Sequence, residues 1–185
     1  MDNQALVNID NRTIFINGDI TTSEMAYVAF NLIHMINEDD ENDAAIKDYE
    51  REPIKIFISS PGGEVNAMWS VIDVMLQSKT PIYTYCLGYV YSAAFKIFLA
   101  GSKRFAYKHS EFMYHQLQGK VSGDYNSILN VVDNYAYNQE EIERFILSRT
   151  KITEEQIENV RLSRQDWYFN TATAVELGIV TDVIE

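Results

Sequence analysis

Two successive segments of the chain follow the same pattern of strand, glycine-containing turn and helix. The first contains the apolar run 54–59, the turn 60–64 and a helix-like stretch with apolar residues at helical spacing. The second contains the β-like run 82–86 and the apolar segment 88–100, which begins with a glycine. Such consecutive units form parallel strands joined by right-handed crossovers. The sequence therefore predicts an α/β fold built from βαβ units.

Hydrophobic periodicity and capping residues predict the other elements of the chain. Strands are expected at 14–16, 104–107, 111–114 and 179–184. Helices are expected after Thr21, over 124–149, after Thr153 and after Thr171. His34 is interpreted as a structural residue rather than a catalytic one, and the aromatic run 167–169 as part of the core. No repeat or linker divides the chain, so we expect one domain over residues 1–185.

Charge and composition exclude several classes of function. The net charge of -12 argues against binding the phosphate backbone of nucleic acid. The polar start of the chain does not match a signal peptide, and no apolar run has membrane-spanning length. Cys86, the only cysteine, permits no intrachain disulfide and is predicted to be a core thiol. We expect a cytoplasmic protein with neither membrane nor nucleic-acid partners.

An acidic segment over residues 38–52 interrupts the helical pattern. It carries eight acidic and two basic residues, a net charge of minus six that is half of the total. A solvated surface excursion is the preferred interpretation. The segment lacks the glycine and the distal glutamate of a calcium-binding EF-hand loop, and no metal site is predicted there.

Ser92 lies at the predicted strand-to-helix turn, where two roles are open. A serine there can be a helix N-cap, which is the commoner role for this residue type. It can also be a nucleophile, because a sharp turn projects the hydroxyl and the helix N-terminus offers unpaired N–H groups to an oxyanion. The glycines of the turn 60–64 provide a second set of backbone donors.

A nucleophilic serine needs a base and a group that orients the base. His115 ends a strand that follows the serine helix, so it is the candidate base. His109 is interpreted as a surface residue in a turn. Asp166, just before the aromatic run, is the candidate orienting acid, whereas Asp124 and Asp133 are expected to face solvent.

Four motifs follow one another along the chain: Ser-Ser-Pro-Gly-Gly at 59–63, Gly-Tyr-Val-Tyr-Ser at 88–92, Met-Tyr-His-Gln at 113–116, and Asp-Trp-Tyr-Phe at 166–169 followed by 174–180. In this order they resemble the motifs of the Clp protease proteolytic subunit family. The match is collinear from about residue 14 to the end. Each motif alone is modest evidence, but four in order at compatible spacing are specific.

The resemblance implies a serine endopeptidase with a crotonase-like α/β spiral and no cofactor or metal. The family's nucleophile, base and orienting acid fall on Ser92, His115 and Asp166, and its oxyanion donors fall on the amides of Gly63 and Ala93. Residues 117–149 resemble the family's handle, through which two seven-membered rings stack into a homo-oligomeric chamber of fourteen subunits. An AAA+ unfoldase would feed unfolded polypeptide into that chamber.

The chain departs from the family pattern around the nucleophile. Tyr91 precedes Ser92, and Ala94-Phe95 replace a glycine-bearing pair, so Tyr91 and Phe95 are predicted to narrow the substrate pocket. The departures leave other functions open within the same fold. These are a phage-type peptidase for capsid or scaffold maturation, a non-catalytic ring-forming regulatory subunit, and an acyl-CoA enzyme that uses the glycine turns without a triad.

Overall fold

The computed structural model describes residues 5–185, which form a mixed sheet flanked by helices. The strands are β1 (Leu6–Asn8), β2 (Thr13–Ile20), β3 (Ile54–Gly63), β4 (Ile82–Tyr91), β5 (Lys103–Tyr107), β6 (Glu111–Tyr114), β7 (Trp167–Asn170) and β8 (Asp182–Ile184). The helices are α1 (Thr22–Ala45), α2 (Val65–Gln77), α3 (Ala93–Ala100), α4 (Tyr125–Arg149), α5 (Glu154–Ser163) and α6 (Thr171–Glu176). Among these elements, no helix is both long and apolar enough to cross a membrane.

The sheet is mostly parallel, as the repeated strand–helix units predict. Its main order is β1-β2-β3-β4-β5-β8, and β6 pairs with both β4 and β7. The antiparallel pairs are β1 with β2 and β6 with β7. Helices α2 and α3 cover the sheet with fully buried apolar side chains such as Met68 and Phe98. The thiol of Cys86 is buried in β4, as predicted.

Strand β4 divides its pairing between two neighbours, and this division positions the turn that follows. Its first half pairs with β5 from Tyr83 to Cys86, and its second half pairs with β6 from Tyr89 to Tyr91. Gly88 separates the halves at φ +78°. The end of β4 therefore lies beside the end of β6, which brings Ser92 next to the residues that follow Tyr114.

Several boundaries differ from those that the sequence predicts: β2 and β4 continue beyond the runs 14–16 and 82–86, to Ile20 and Tyr91. Strand β3 continues to Gly63 through the expected turn, because the parallel partner β2 pairs Asp19 with Gly62 and Ile20 with Gly63. Only glycine tolerates the backbone found there, with φ +101° at Gly62. The closing strand is shorter than predicted, since it begins at Asp182.

Residues 38–45 continue helix α1 to Ala45 instead of forming an excursion, although most of their side chains are exposed, in agreement with a solvated segment. Asp39 in this stretch is fully buried and pairs with Arg12 at 2.6 Å. It also accepts hydrogen bonds from Tyr49 at 2.8 Å and from Thr80 at 2.6 Å. Burial alone would raise the pKa of Asp39, but hydrogen bonds from Thr80, Tyr49 and Arg12 outweigh it and lower the pKa.

Asp39→Ala is expected to lower the free energy of unfolding by about 3 kcal/mol, because it leaves the Arg12 guanidinium without its anion. The control is Asp40→Ala, which removes a half-exposed carboxylate paired with Arg51 and should cost less than about 1 kcal/mol. Since the folded pKa of Asp39 is depressed, its contribution is present above pH ~4 and is lost as pH falls through the folded pKa. Urea unfolding at pH 7 and pH 3 measures both effects; equal losses for the two variants at pH 7 would contradict the buried pair.

Candidate active site

Ser92 joins β4 to α3 in a backbone conformation that is strained for a residue with a side chain. Its φ is 51° and its ψ is -120°. Its N–H donates to the carbonyl oxygen of Met113 at 3.0 Å, which fixes the turn against the end of β6. The side chain of Ser92 makes no capping hydrogen bond, although the residue occupies the N-cap position of α3. The hydroxyl is therefore not committed to the capping role that serine usually takes there.

Gly62 allows the end of β3 to touch the serine turn. A Cβ atom at Gly62 would lie 2.7 Å from the Cβ of Ser92 and 2.9 Å from the nitrogen of Ala93. Ala93 is the first residue of α3, so its N–H belongs to the donors that an α-helix leaves unpaired. The N–H of Gly62 already donates to Ser60 Oγ at 3.1 Å. Gly63 and Ala93, the residues that follow Gly62 and Ser92, both line the cleft at this turn.

Ser92 and His115 line one cleft of about 350 Å³, together with Gly63 and Ala93. Its other residues come from the ends of β2 and β3, from α2 and α3, from the segment between β6 and α4, and from α4 itself: Asp19, Pro61, Gly62, Val65, Met68, Lys96, Leu117, Gln118 and Ile142. The walls are mainly apolar, while the serine, the histidine and the lysine converge on the same space. This arrangement is typical of a small-molecule or peptide site.

His115 is partly buried, and its ring is held by the backbone. Its Nδ1 is hydrogen-bonded to the carbonyl oxygen of Gln116, so Nδ1 carries the proton and Nε2 is free to accept one. Burial lowers the pKa of His115, the charge of Lys96 lowers it further, and Gln116 and Asp166 act in the opposite direction. The net lowering favours the neutral imidazole at pH 7, which is the form that a general base requires.

Asp166 lies opposite His115 but is not hydrogen-bonded to it. In the antiparallel pair of β6 and β7, Tyr114 faces Trp167, so one further step of the ladder places His115 opposite Asp166. The carboxylate is exposed and close enough to raise the pKa of His115. Nδ1 is instead hydrogen-bonded to Gln116, so Ser92 and His115 line the cleft and Asp166 does not.

Tyr91 and Phe95 lie away from the cleft. Phe95 is fully buried and packs edge-on against Phe169, with ring centroids 5.7 Å apart. The Tyr91 hydroxyl donates to Glu111 Oε2 at 2.6 Å. The placement of these rings gives no support to the prediction that they narrow the substrate pocket, because β4 and α3 direct both toward β6 and β7.

Lys96 is a residue of the cleft that the motifs did not indicate. Its side chain is 3% exposed, and its Nζ lies 5.1 Å from the centroid of the Tyr114 ring. Burial lowers the pKa of Lys96 to about 7. One signal in the sequence was available, because Lys96 is the single charged residue in the otherwise apolar helix α3, four positions after Ser92.

Comparison with known proteins agrees with the motifs. The family model described as Clp protease matches residues 3–185. The ATP-dependent Clp protease proteolytic subunit 1 of Shouchella clausii is 30% identical over 95% of this chain and 86% of its own length. The protein of the same name from Bacillus cereus is 31% identical over 96% of this chain and 86% of its own length.

A third relative, the ATP-dependent Clp protease proteolytic subunit 1 of Rhodopirellula baltica, is 28% identical over 95% of this chain and 73% of its own length. Identities near 30% over nearly the whole chain indicate a divergent member rather than a close copy. With a family match that spans the sheet, the serine turn and the cleft, the chain belongs to the Clp protease family.

Proposed function

We propose that the protein is a serine endopeptidase in which Ser92 is the nucleophile and His115 the general base. The observation that carries this proposal is the Ser92 hydroxyl itself: it is presented from a strained turn at φ 51°, is free of capping bonds and shares a cleft with His115. A strained, uncommitted serine next to a neutral imidazole is the arrangement that acyl transfer requires.

In the proposed acylation step, Ser92 Oγ attacks the carbonyl carbon of a peptide bond while His115 Nε2 accepts the hydroxyl proton. The N–H groups of Gly63 and Ala93 stabilise the oxyanion of the tetrahedral intermediate. His115 then gives the proton to the leaving amine, and an acyl ester remains on Ser92. Water attacks this ester with the same proton transfers in reverse, which releases the new carboxyl terminus and restores the serine.

Asp166 is the proposed orienting acid. The register of β6 and β7 supports this role, since it places Asp166 across from His115. To fulfil it, the imidazole must exchange the Gln116 carbonyl for the Asp166 carboxylate as the partner of Nδ1–H. A carboxylate there stabilises the imidazolium that forms during each proton transfer.

The bond between His115 and Gln116 also favours a second candidate, a non-catalytic ring-forming subunit of the same fold, in which Asp166 never engages His115. Incubation of the purified protein with an unfolded, carboxymethylated polypeptide distinguishes the two. A peptidase yields peptides with new termini, detected by mass spectrometry, and Ser92→Ala prevents their formation. Intact substrate in both samples would favour the non-catalytic subunit.

We further propose that the subunits form two stacked rings around an inner chamber in the cytoplasm, with the crotonase-like spiral as the body and residues 117–149 as the handle. Helix α4 supports this, because its first four turns expose large apolar side chains that nothing in residues 5–185 covers: Tyr125, Ile128, Leu129, Val132 and Tyr137. Residues 118–123, which precede α4, form no strand and pair with no strand of residues 5–185. The relatives' names, which describe ATP-dependent proteolytic subunits, support an AAA+ unfoldase as partner and unfolded polypeptide as substrate.

Analytical ultracentrifugation is expected to find a particle of fourteen subunits, two rings of seven chains of 21.3 kDa each. Val132→Asp, at a side chain 49% exposed on α4, should break it into single rings or smaller species, because it puts a charge into the stacked face. Asn134→Asp, at an exposed polar position on the same helix, is the matched control and should leave the particle intact. A monomer or dimer of the parent protein at all salt and protein concentrations would contradict the ring and the chamber.

A further inference from the structure

We propose that Lys96 makes the cleft beneath Ser92 a pocket for an acidic side chain, so that the protein cleaves preferentially after aspartate or glutamate. The inference rests on the proposed peptidase function and adds the substrate class. It is carried by one buried, unpaired cation in a cleft whose other walls are largely apolar.

The helix geometry places Lys96 directly below the nucleophile. Residues four apart lie on the same face of a helix, and each Cα–Cβ bond tilts toward the helix N-terminus. Lys96 lies in α3, four residues after Ser92, the N-cap of that helix, and lines the same cleft as Ser92. In the proposed pocket, the side chain of the substrate residue whose carbonyl lies at Ser92 occupies this cleft, which Val65 and Leu117 also line.

No carboxylate of the described chain neutralises Lys96. Within residues 5–185, no carboxylate forms a salt bridge with Lys96 at 4.0 Å or less. Glu143, behind the neighbouring Tyr114, is occupied by Arg161 at 2.7 Å and by Gln139 at 2.8 Å. Asp19 lines the same cleft but is exposed at its rim. The ammonium lies 5.1 Å from the centroid of the Tyr114 ring.

The polar and titratable groups around Lys96 come from two strands. They are Asp19 at the end of β2 and, at the end of β6, His115 and the Tyr114 hydroxyl, which accepts a hydrogen bond from Gln139. Burial lowers the pKa of Lys96 to about 7 in the empty cleft, and an entering carboxylate would raise it again. A glutamate side chain, with a pKa of about 4.3, is ionised at this pH and restores the missing partner.

An apolar side chain in the same pocket has the opposite effect. It would seal the ammonium from the water of the cleft and supply no hydrogen-bond acceptor in return. An uncharged amide of the same shape would supply an acceptor but no charge. Lys96 therefore favours acidic substrate side chains in two ways. It attracts the carboxylate, and it makes the binding of neutral side chains in the pocket unfavourable.

The experiment compares three fluorogenic tripeptides that differ only in the residue before the scissile bond: glutamate, glutamine or leucine. For the parent protein at pH 7, kcat/KM is expected to be about tenfold or more higher for glutamate than for glutamine. Lys96→Met, which keeps an unbranched side chain one atom shorter and removes the charge, should abolish this preference and raise kcat/KM for leucine. Lys103→Met is the control, because Lys103 is an exposed lysine that lies 5.4 Å from the Tyr83 ring centroid and should leave all three values unchanged.

Two outcomes of hydrolysis would overturn the acidic pocket while the peptidase stands. One is equal cleavage after glutamate and glutamine by the parent protein. The other is a uniform loss for all three substrates in Lys96→Met, which would mean that the lysine acts on the nucleophile and not on the substrate side chain.

Absence of hydrolysis and of active-serine labelling would refute the proposed function, and calorimetry then tests the pocket by itself. The probes are acetylated tripeptide amides that end in glutamate or glutamine. Tighter binding of the glutamate peptide to the parent protein, lost in Lys96→Met, supports the acidic pocket without catalysis. Equal binding of the two peptides overturns it.

Discussion

Ser92→Ala is expected to lower kcat for a peptide substrate by about 10⁴-fold or more, with little change in the unfolding temperature. The hydroxyl is the only group that the substitution removes, and the serine side chain makes no capping bond that α3 would lose. His115→Ala should have an effect of similar size, since nucleophile and base act as a unit. Asp166→Asn should lower kcat by a factor that is about tenfold to a hundredfold smaller, because an orienting group contributes less than the nucleophile and the base that it serves.

Ser70→Ala is the control for the serine substitutions. Its hydroxyl donates to the carbonyl of Ala67 within α2 and does not line the cleft, so peptide turnover should remain at the parent level. Activity of Ser92→Ala within tenfold of the parent would remove Ser92 from the mechanism. An equal effect of Asp166→Asn and His115→Ala would show that the carboxylate does more than orient the ring.

Gly63→Ala is expected to reduce both stability and turnover. A Cβ atom at this position would overlap the carbonyl oxygen of Ile20 and lie 2.9 Å from its carbonyl carbon, with φ at +154°. Because these neighbours are backbone atoms of β2, the end of β3 must move. A loss of about 3 kcal/mol or more in the free energy of unfolding is expected. The displaced amide should also lower kcat by about 10²-fold to 10³-fold, the usual cost of losing one oxyanion donor.

Gly88→Ala is the matched control for this steric argument. Gly88 also has a positive φ, +78°, but a Cβ atom there meets nothing within 4 Å. The substitution therefore adds backbone strain of about 1–2 kcal/mol without a collision, and the oxyanion donors stay in place. Thermal unfolding and peptide turnover of both variants separate the effects. Similar values for Gly63→Ala and Gly88→Ala would contradict the close approach of β2 and β3 at the site.

Local patterns in the sequence predicted most elements of the fold. The spacing of apolar residues identified α2 and α4, and capping residues identified the start of α5, where Thr153 and Gln156 form a capping box. The acidic segment was misread, since its helical continuation depends on distant partners. Asp39 is buried beside Arg12, from the β1–β2 turn, and Thr80, from the loop before β4. Charge counts along the chain contain no information about such partners.

The site was predictable where it depends on a turn and unpredictable where it depends on packing. The strand-to-helix turn marked Ser92, and the strand end marked His115. The environment of Lys96 follows from three elements that meet only in the folded chain, so hydrophobic periodicity could not distinguish its burial from snorkelling to solvent. The hydrogen bond from His115 to Gln116 likewise depends on the orientation of the imidazole ring, which the spacing of residues in the sequence does not indicate.

Labelling with a fluorophosphonate, read by intact mass and then by peptide mapping, tests most directly whether Ser92 is an activated nucleophile. This reagent phosphonylates a serine that a neighbouring base deprotonates, and ordinary surface serines react far more slowly. We expect one adduct per chain, located on Ser92, that is absent from Ser92→Ala and from the parent protein unfolded in denaturant. No adduct on the folded parent protein, or an adduct on another residue that persists in Ser92→Ala, would contradict the assignment.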